Sequence, residues 1–168
     1  MHSSAKAYRA GVGIKDNAEP HKNSRYLLKM DFANFFPSIK SSDLAAHLKT
    51  HSGQVLDEEE LEYLSRLFFY SKTRKDKSLV LSIGAPSSPF ISNSIMYEFD
   101  SIVSKFCTDN HIVYTRYADD LTFSTNTKGL LFDVTDKVKE ILSCLSYPKL
   151  EINHKKTVFL SKAYNRHV

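Results

Sequence analysis

Alternating apolar and polar positions predict short strands at several points along the chain. In RYLLKMDFA (25–33), Leu28, Met30 and Phe32 fall on one face of an extended backbone. Two further segments with strand character surround a pair of aspartates, and two more lie near the C-terminal end. The predicted strands are 25–33, 112–117, 121–125, 150–153 and 157–161.

Apolar residues at helical spacing predict longer elements between these strands. In 57–71, Asp57 is followed by Glu60 at the spacing of a capping box, and Ser41 is placed to cap another helix. The predicted helices are 41–51, 57–71, 88–106 and 130–145. The positions predicted to face a core are Leu61, Leu64, Leu67 and Phe68, and then Ile91, Ile95, Phe99, Ile102 and Phe106.

The order of these elements mixes helices with paired strands. This order favours an α+β fold over a repeated βα fold. Residues 1–25 and 72–78 are polar or charged and predict loops, the first with a short helix. A length of 168 residues is that of one domain, or of part of a larger one.

Composition narrows the functional classes only slightly. The net charge of +4 and pI near 8.9 permit a nucleic-acid partner without requiring one. Cys107 and Cys144 form no CxxC pair, which favours free thiols over a zinc site. The start of the chain lacks a signal-peptide core, and no apolar run is long enough to span a bilayer. We therefore expect a cytoplasmic protein with no membrane partner.

Asp119 and Asp120 lie side by side between two predicted strands. An Asp-Asp pair in a turn is usually only a solvated loop. Here the flanking strands predict a tight hairpin that projects both carboxylates from one end of a sheet. Like charges held close together need a compensating cation, and Mg²⁺ prefers oxygen ligands of this kind. The pair therefore indicates a metal site.

Asp31 supplies a third carboxylate from another predicted strand. It lies in an apolar segment, where an isolated buried charge would be costly. An edge-strand aspartate that faces solvent is the alternative. Together with the acidic pair, Asp31 would complete a two-metal site for in-line displacement at phosphorus.

Four segments resemble the motifs of bacterial reverse transcriptases. YADD (117–120), followed by LTFS, is similar to their catalytic hairpin, and MDFANFFPSIK (30–40) to their first catalytic motif. IGAPSSPFISN (83–93) resembles their second motif, and LEINHKKT (150–157) their downstream lysine-bearing segment. The four occur in the expected order, and the resemblance covers roughly residues 17 to 160.

A finer resemblance is to the retron type. DNAEPH (16–21) is similar to the NAxxH element that precedes the first catalytic motif of retron enzymes, and Val168 would begin their VTG element. The resemblance implies partial fingers in 1–25, a palm in 26–162 and the start of a truncated thumb connection in 163–168. Fingers and thumb would be largely missing.

The resemblance also implies the catalytic roles. Asp31, Asp119 and Asp120, with the carbonyl of Phe32, would hold two Mg²⁺ ions, with Mn²⁺ as an alternative. Asp31 and Asp119 are expected as direct ligands and Asp120 as their support. The reaction would add dNTPs to a primer 3′-hydroxyl on an RNA template.

Further residues are expected around the incoming nucleotide. Phe36 matches the bulky residue that excludes a ribose 2′-hydroxyl, although a core phenylalanine is equally consistent with the sequence. Lys155 or Lys156 would neutralise the leaving pyrophosphate, unless the pair is a solvated strand end. The remaining nucleotide-binding predictions are Gly84, Ala85 and Asn93.

Contacts to template and primer are expected from a separate set of residues. Each of these residues also has a purely structural interpretation. GAPSSP is typical of the start of a helix, the histidine of NAxxH could be a buried, hydrogen-bonded residue, and a charged loop is often only solvent-exposed. The predicted nucleic-acid contacts are Asn17, His21, Ser87, Ser88, Arg116 and Tyr117, with Lys72, Arg74 and Lys75 on phosphates.

One departure from the family pattern concerns substrate affinity. Ile83 stands where the second motif usually has glutamine, and Ser82 where proline is common. The metal chemistry does not depend on that glutamine, so we expect altered affinity rather than loss of reaction.

The expected function is retron DNA synthesis linked to phage defence. The implied partners are an RNA template, a DNA or RNA primer, dNTPs, a structured non-coding RNA and an effector protein. Two alternatives remain: a reverse transcriptase of the group II intron or another defence type, and a non-catalytic palm that only binds RNA.

Overall fold

The computed structural model describes residues 1–51, 53, 56–73 and 78–162. Its strands are β1 (Tyr26–Asp31), β2 (Phe69–Ser71), β3 (Leu79–Leu81), β4 (Val113–Tyr117), β5 (Asp120–Thr125) and β6 (Val158–Ser161). Its α-helices are α1 (Ile14–Ala18), α2 (Phe35–Ser38), α3 (Ser41–His51), α4 (Glu58–Phe68), α5 (Ser88–Ile95), α6 (Tyr97–Asp109) and α7 (Leu130–Cys144). Short 3₁₀ helices cover Glu19–His21 and His154–Lys156.

The main sheet is antiparallel, with the strand order β4-β5-β1-β6 within the described residues. β2 and β3 pair separately as a small hairpin on either side of the charged segment 72–78. Helices pack against the main sheet, with α6 contacting β4 and α7 contacting β5 and β1. The predicted α+β class, with an antiparallel sheet packed on helices, is confirmed.

Alternation along the strands separates the face that packs on the helices from the face that carries Asp31. Leu28 and Met30 of β1 lie beside Leu121 and Phe123 of β5, and all four are buried in one core with α5, α6 and α7. Because successive residues point to opposite sides of a sheet, Asp31 lies on the other face. Burial of each large apolar side chain contributes about 1.5–3 kcal/mol to stability, so this register is strongly specified.

The predicted helix over 88–106 is two helices. α5 ends and α6 begins at Met96, whose φ and ψ of −75° and 1° are not helical. The break rotates α6 relative to a continuous helix, so the core-facing spacing does not extend through it. Phe99 remains fully buried, but Ile102 is 40% exposed, which contradicts its predicted core position.

The capping box of α4 is confirmed. The Glu60 amide donates to Asp57 Oδ1 at 2.8 Å, and the Asp57 amide donates to Glu60 Oε2 at 3.0 Å. However, α4 ends at Phe68 rather than at residue 71, and Leu67 is 71% exposed. The face predicted for the core is therefore only half-buried, because the described chain packs against one side of it.

Three other local predictions are wrong. The amide of Lys40 donates to Asp43 Oδ2 at 2.8 Å, so Asp43 rather than Ser41 caps α3. The strand predicted to run to residue 33 stops at Asp31, and Pro37 lies inside the short helix α2 that follows. Segment 150–153 makes only an isolated bridge between Phe32 and Ile152, because the chain is otherwise irregular there.

None of the helices in the described part of the chain combines the length and the apolarity needed to cross a membrane.

Two leucine truncations test the positions of core and surface. We expect Leu121→Ala to lower the free energy of unfolding by about 2–5 kcal/mol, because it leaves a cavity under the sheet. Leu67→Ala should change it by less than about 0.5 kcal/mol, because the side chain is already exposed. Urea unfolding followed by circular dichroism measures both. Equal losses would contradict the exposed position of Leu67.

Candidate active site

Three carboxylates meet at one end of the sheet. Asp31, the last residue of β1, and Asp120, the first of β5, are direct cross-strand partners. Their side chains therefore point to the same face. Asp119 precedes Asp120 in the turn, and its carbonyl oxygen accepts the Phe32 amide at 3.1 Å. Like charges directly opposite each other destabilise a sheet, so the fold maintains this arrangement at a cost.

The turn that presents Asp119 has an unusual backbone. Tyr117 and Asp120 pair, which leaves Ala118 and Asp119 as a two-residue connection between β4 and β5. Ala118 has a φ of 56°, in the left-handed region that favours glycine. Such a position costs an alanine on the order of 1–2 kcal/mol. It persists only where the surroundings hold it.

The charges of the cluster act on one another. Burial, then the charge of Asp119 and that of Asp31, raises the pKa of Asp120, while Lys29 and Lys156 oppose the shift. Asp31 is only 5% exposed. The repulsion predicted for the acidic pair from sequence is therefore present and is only partly compensated by the chain's own cations.

Lys156 is the lysine that reaches the site. Its Nζ lies 3.0 Å from Asp31 Oδ2, and the hydrogen bond and charge of Asp31 raise its pKa. The Asn153 amide donates to the Asp31 carbonyl at 2.7 Å, which places the following 3₁₀ turn against β1. The amide of Lys155 instead bonds the Asn153 side chain. The sequence left open whether Lys155 or Lys156 reaches the site, and in the structure it is Lys156 that contacts Asp31.

The donor atoms at this end of the sheet suit a hard divalent ion. They are the carboxylate oxygens and the Phe32 carbonyl. Phe32 pairs with Ile152, but the two hydrogen bonds of this bridge run from the Ala33 amide to Glu151 and from the Asn153 amide to Asp31, so neither of them uses the Phe32 carbonyl. Among the described residues, no three His, Cys, Asp or Glu side chains are already arranged to hold a metal ion. The ammonium of Lys156 is the cation beside Asp31.

Phe36 and Tyr8 form an aromatic contact, and Tyr8 is close enough to Asp119 to respond to its charge. Phe36 is the second residue of α2, and its side chain is half-buried. Its ring centroid lies 5.3 Å from that of Phe35 and 6.5 Å from that of Tyr8. Burial, and then the charge of Asp119, raises the pKa of Tyr8, which places the phenol near the acidic turn. Tyr8 carries no periodic signal, because it lies in an irregular segment and has a φ of 59°.

Asn93 lies beneath this region rather than in it. It is fully buried, and its Nδ2 donates to the Ala7 carbonyl at 3.0 Å. The expectation that Asn93 contacts the nucleotide is therefore corrected: its amide anchors the segment that carries Tyr8. Helical spacing offered no signal for this burial, because Asn93 stands two residues from both Ile91 and Ile95, whereas residues three or four apart share a helix face.

The second motif presents backbone rather than caps. Gly84 has a φ of +87° with open space around its Cα, and Ala85 is half-exposed. Ser87 is the residue before α5 and makes no side-chain cap, while the following proline fits the helix entrance that GAPSSP offered as an alternative. Ser88 is 1% exposed, so its hydroxyl is inside the protein and the expected nucleic-acid contact is corrected.

The NAxxH element packs against the hairpin that carries Asp119 and Asp120, on the face of the sheet opposite the helices. His21 is fully buried, with Nδ1 2.7 Å from Ser124 Oγ and Nε2 2.8 Å from Thr115 Oγ1. Asn17 is 9% exposed, and its carbonyl accepts Thr115 Oγ1 at 3.5 Å. The expectation that these two side chains contact nucleic acid is corrected, because both are interior residues: His21 ties β4 to β5, and Asn17 meets β4 through its backbone carbonyl.

Arg116 is also an interior residue. It pairs with Leu121 across the hairpin, so alternation turns it toward α6, where its guanidinium bonds Asp100. It is 0% exposed, which contradicts the predicted phosphate contact. Tyr117, one residue on, is half-buried on the opposite face with Asp120. Alternation counted back from the acidic pair was the signal that would have found this.

The remaining charged predictions are only partly described. Lys72 is exposed in the loop after β2. Arg74, Lys75 and Val168 lie outside the described residues, as does the segment 163–168.

Asp120 provides a test of the charge cluster. Because its pKa is raised in the folded protein, folding favours the protonated form, and stability is lost as pH rises from the ordinary value of 3.8 through the folded value. We expect Asp120→Asn to stabilise the fold at pH 7 by less than about 1 kcal/mol, because exposed charges are screened. The gain should vanish below pH 3.8.

The measurement is thermal unfolding from pH 3 to 8. Asp109→Asn, which removes an exposed carboxylate at the end of α6, is the matched control. A loss of stability in Asp120→Asn at pH 7 would show that the cluster is not repulsive.

Comparison with known proteins places this geometry in a family. Residues 1–167 match the family model described as reverse transcriptase (RNA-dependent DNA polymerase). The retron Ec83 reverse transcriptase of Escherichia coli is 46% identical over 169 residues, covering 100% of this chain and 54% of the relative. The retron Ec73 reverse transcriptase of the same species is 33% identical over 166 residues, covering 93% of this chain and 50% of the relative.

Solved structures support the fold. Apo telomerase from Candida tropicalis superposes with a TM-score of 0.56 at 15% identity, covering 86% of this chain and 30% of the telomerase. A form of it truncated from the C-terminal domain gives 0.53 at 16%, covering 91% and 34%. The chain spans about half the length of the curated relatives it matches. It belongs to the reverse transcriptase family and is of the bacterial retron type.

Proposed function

We propose that this chain is the palm of an RNA-directed DNA polymerase that adds dNTPs to a primer 3′-hydroxyl. The observation that carries the proposal is the register that sets Asp31 opposite Asp120, with Asp119 tethered beside them through Phe32. A binding module has no need to maintain a repulsive carboxylate cluster, whereas phosphoryl transfer needs one.

Asp31, Asp119, Asp120 and the Phe32 carbonyl would hold two Mg²⁺ ions, for which Mn²⁺ can substitute. When bound, such ions activate the primer hydroxyl and neutralise charge on the triphosphate. The chain's own contribution is to fix the carboxylates: Asp31 is held nearly buried at the end of β1, and Asp119 by its carbonyl. Pre-positioned ligands avoid reorganisation during the reaction.

Lys156 would act on the leaving group. Its ammonium is held at Asp31, and its raised pKa keeps it protonated at neutral pH. The side chain is 62% exposed, so it is free to turn toward a pyrophosphate and donate a proton.

Phe36 would limit the sugar to deoxyribose. Its ring is half-buried and contacts Phe35 and Tyr8. These contacts would restrict the motion of the ring, which would then clash with a 2′-hydroxyl. Gly84 and Ala85 would let the backbone approach the nucleotide, with Tyr117 and Ser87 near primer and template.

The substrates and partners follow from the retron type. We propose an RNA template within a structured non-coding RNA, a DNA or RNA primer, and dNTPs, in a phage-defence system with an effector protein. We also propose a cytoplasmic location, which the free Cys107 and Cys144 support.

DNA synthesis tests the proposal. The chain is assayed alone and with the flanking segments of the Ec83 relative joined to both ends, for dNTP incorporation on an RNA template-primer with Mg²⁺. We expect Asp119→Asn to lower incorporation by more than about a hundredfold, since changes that only disturb metal-ligand orientation cost about 10- to 100-fold. RNA binding should survive, because phosphate contacts elsewhere supply it.

Asp109→Asn is the control for loss of a carboxylate away from the site. Incorporation that is unaffected by Asp119→Asn would refute the assigned catalytic role. RNA binding without incorporation by either protein would favour the non-catalytic palm.

A neighbouring lysine pair tests the leaving-group role. In the same assay, Lys156→Met should lower the single-turnover rate by about a hundredfold, the lower range for general acid catalysis. Lys155→Met should have little effect, because only Lys156 reaches Asp31. Equal losses in the two variants would mean that the segment acts through its net charge alone.

A further inference from the structure

A buried ion pair behind the catalytic turn is not explained by stability. Arg116 and Asp100 are both 0% exposed and form two hydrogen bonds, Nε to Oδ1 at 2.8 Å and Nη2 to Oδ2 at 2.7 Å. The Tyr114 hydroxyl donates to the same Oδ1 at 2.8 Å. Desolvating two charges is expensive, and apolar residues of similar volume often serve a fold as well. Another function therefore accounts better for this pair.

The hydrogen bond of the third guanidinium nitrogen indicates what the pair does besides stabilising the fold. Arg116 Nη1 donates to the carbonyl of Ala118 at 2.9 Å. Ala118 is the residue of the turn with a φ of 56°. The next carbonyl, that of Asp119, accepts the Phe32 amide. Two consecutive carbonyls of the turn thus accept hydrogen bonds: that of Ala118 from the guanidinium, which is itself bound to α6, and that of Asp119 from Phe32, the residue after β1.

We propose that the Arg116–Asp100 pair positions the catalytic turn: it holds Ala118 in its left-handed conformation and thereby fixes Asp119 relative to Asp31. The inference rests on the proposed function, because positioning matters only if those carboxylates bind metal. The planar guanidinium suits the task, since its donors leave in fixed directions and can bind a carboxylate and a carbonyl at once. Arg116 is a positioning residue that does not touch substrate.

The backbone of Arg116 is held on both sides as well. Its amide donates to the Ser4 carbonyl at 2.8 Å, and its carbonyl accepts the Lys6 amide at 2.8 Å. The backbone position of Arg116 is therefore fixed by residues 4–6. The side chain extends from that position to Asp100 of α6 and to Ala118, so it places the turn relative to α6.

The experiment separates positioning from folding. Arg116→Met combined with Asp100→Leu replaces the pair with apolar side chains, which should preserve the melting temperature to within a few degrees. The probe is Mn²⁺ alone, titrated into the 168-residue chain and followed by electron paramagnetic resonance. We expect the double variant to bind Mn²⁺ at least about tenfold more weakly than the unmodified chain.

Tyr114→Phe is the matched control, because it removes one hydrogen bond to Asp100 but leaves the bond from Arg116 to Ala118. It should lower the melting temperature and leave Mn²⁺ binding unchanged. A double variant that binds Mn²⁺ as tightly as the unmodified chain would overturn the inference. If the double variant does not fold, Arg116→Lys decides, since an ammonium lacks the planar fork; unchanged Mn²⁺ binding there overturns the inference too.

A second readout keeps this result separate from the proposed function. The backbone ¹³C shifts of Ala118 report its conformation without metal, and we expect them to leave left-handed values in the double variant. Absence of Mn²⁺ binding by the unmodified chain, with Asp119→Asn identical to it, would refute the proposed metal site. Unchanged Ala118 shifts in the double variant would refute the positioning role itself.

Discussion

The register between β1 and β5 is the constraint on which the site depends. It sets Leu28 beside Phe123 and Met30 beside Leu121 on the core face. The same register sets Asp31 opposite Asp120 on the other face. A slip of one residue would exchange the two faces, burying carboxylates under the helices. The hydrophobic core therefore determines that the like charges meet, and the favourable burial of the apolar residues offsets the repulsion that results.

The segment before β1 serves the site indirectly. His21 bonds both strands of the hairpin, and Asn93 of α5 holds Ala7, next to Tyr8. These side chains are buried, although polar residues in a loop-rich segment predict exposure. Both ring nitrogens of His21 meet a hydroxyl and Asn93 Nδ2 meets the Ala7 carbonyl, as buried polar groups require, whereas Asn93 Oδ1 has no hydrogen-bond partner among the described residues. The element that resembles the retron NAxxH motif is thus a brace for the hairpin that carries Asp119 and Asp120.

The sequence predicted what depends on local pattern. The strands around the acidic pair, the capping box at Asp57 and the amphipathic α7 all follow from periodicity and short-range hydrogen bonds. What it missed depends on distant partners. No pattern near Arg116 in the sequence indicates that it pairs with Asp100, which is 16 residues away. A basic residue beside the acidic pair is therefore interpreted as a phosphate contact. Likewise, the break at Met96 appears only once both helices pack on the same core.

Charge at the site remains unbalanced. Asp31, Asp119 and Asp120 lie at the same end of the sheet, and among the described residues the ion pair made to them is that of Lys156 with Asp31. Lys29 and Lys156 oppose the shift of Asp120 without reversing its direction. A protein selected for stability alone would replace one of these carboxylates. Retaining all three with one ammonium leaves a deficit of positive charge at the end of the sheet, and a divalent cation is the species that such a deficit attracts.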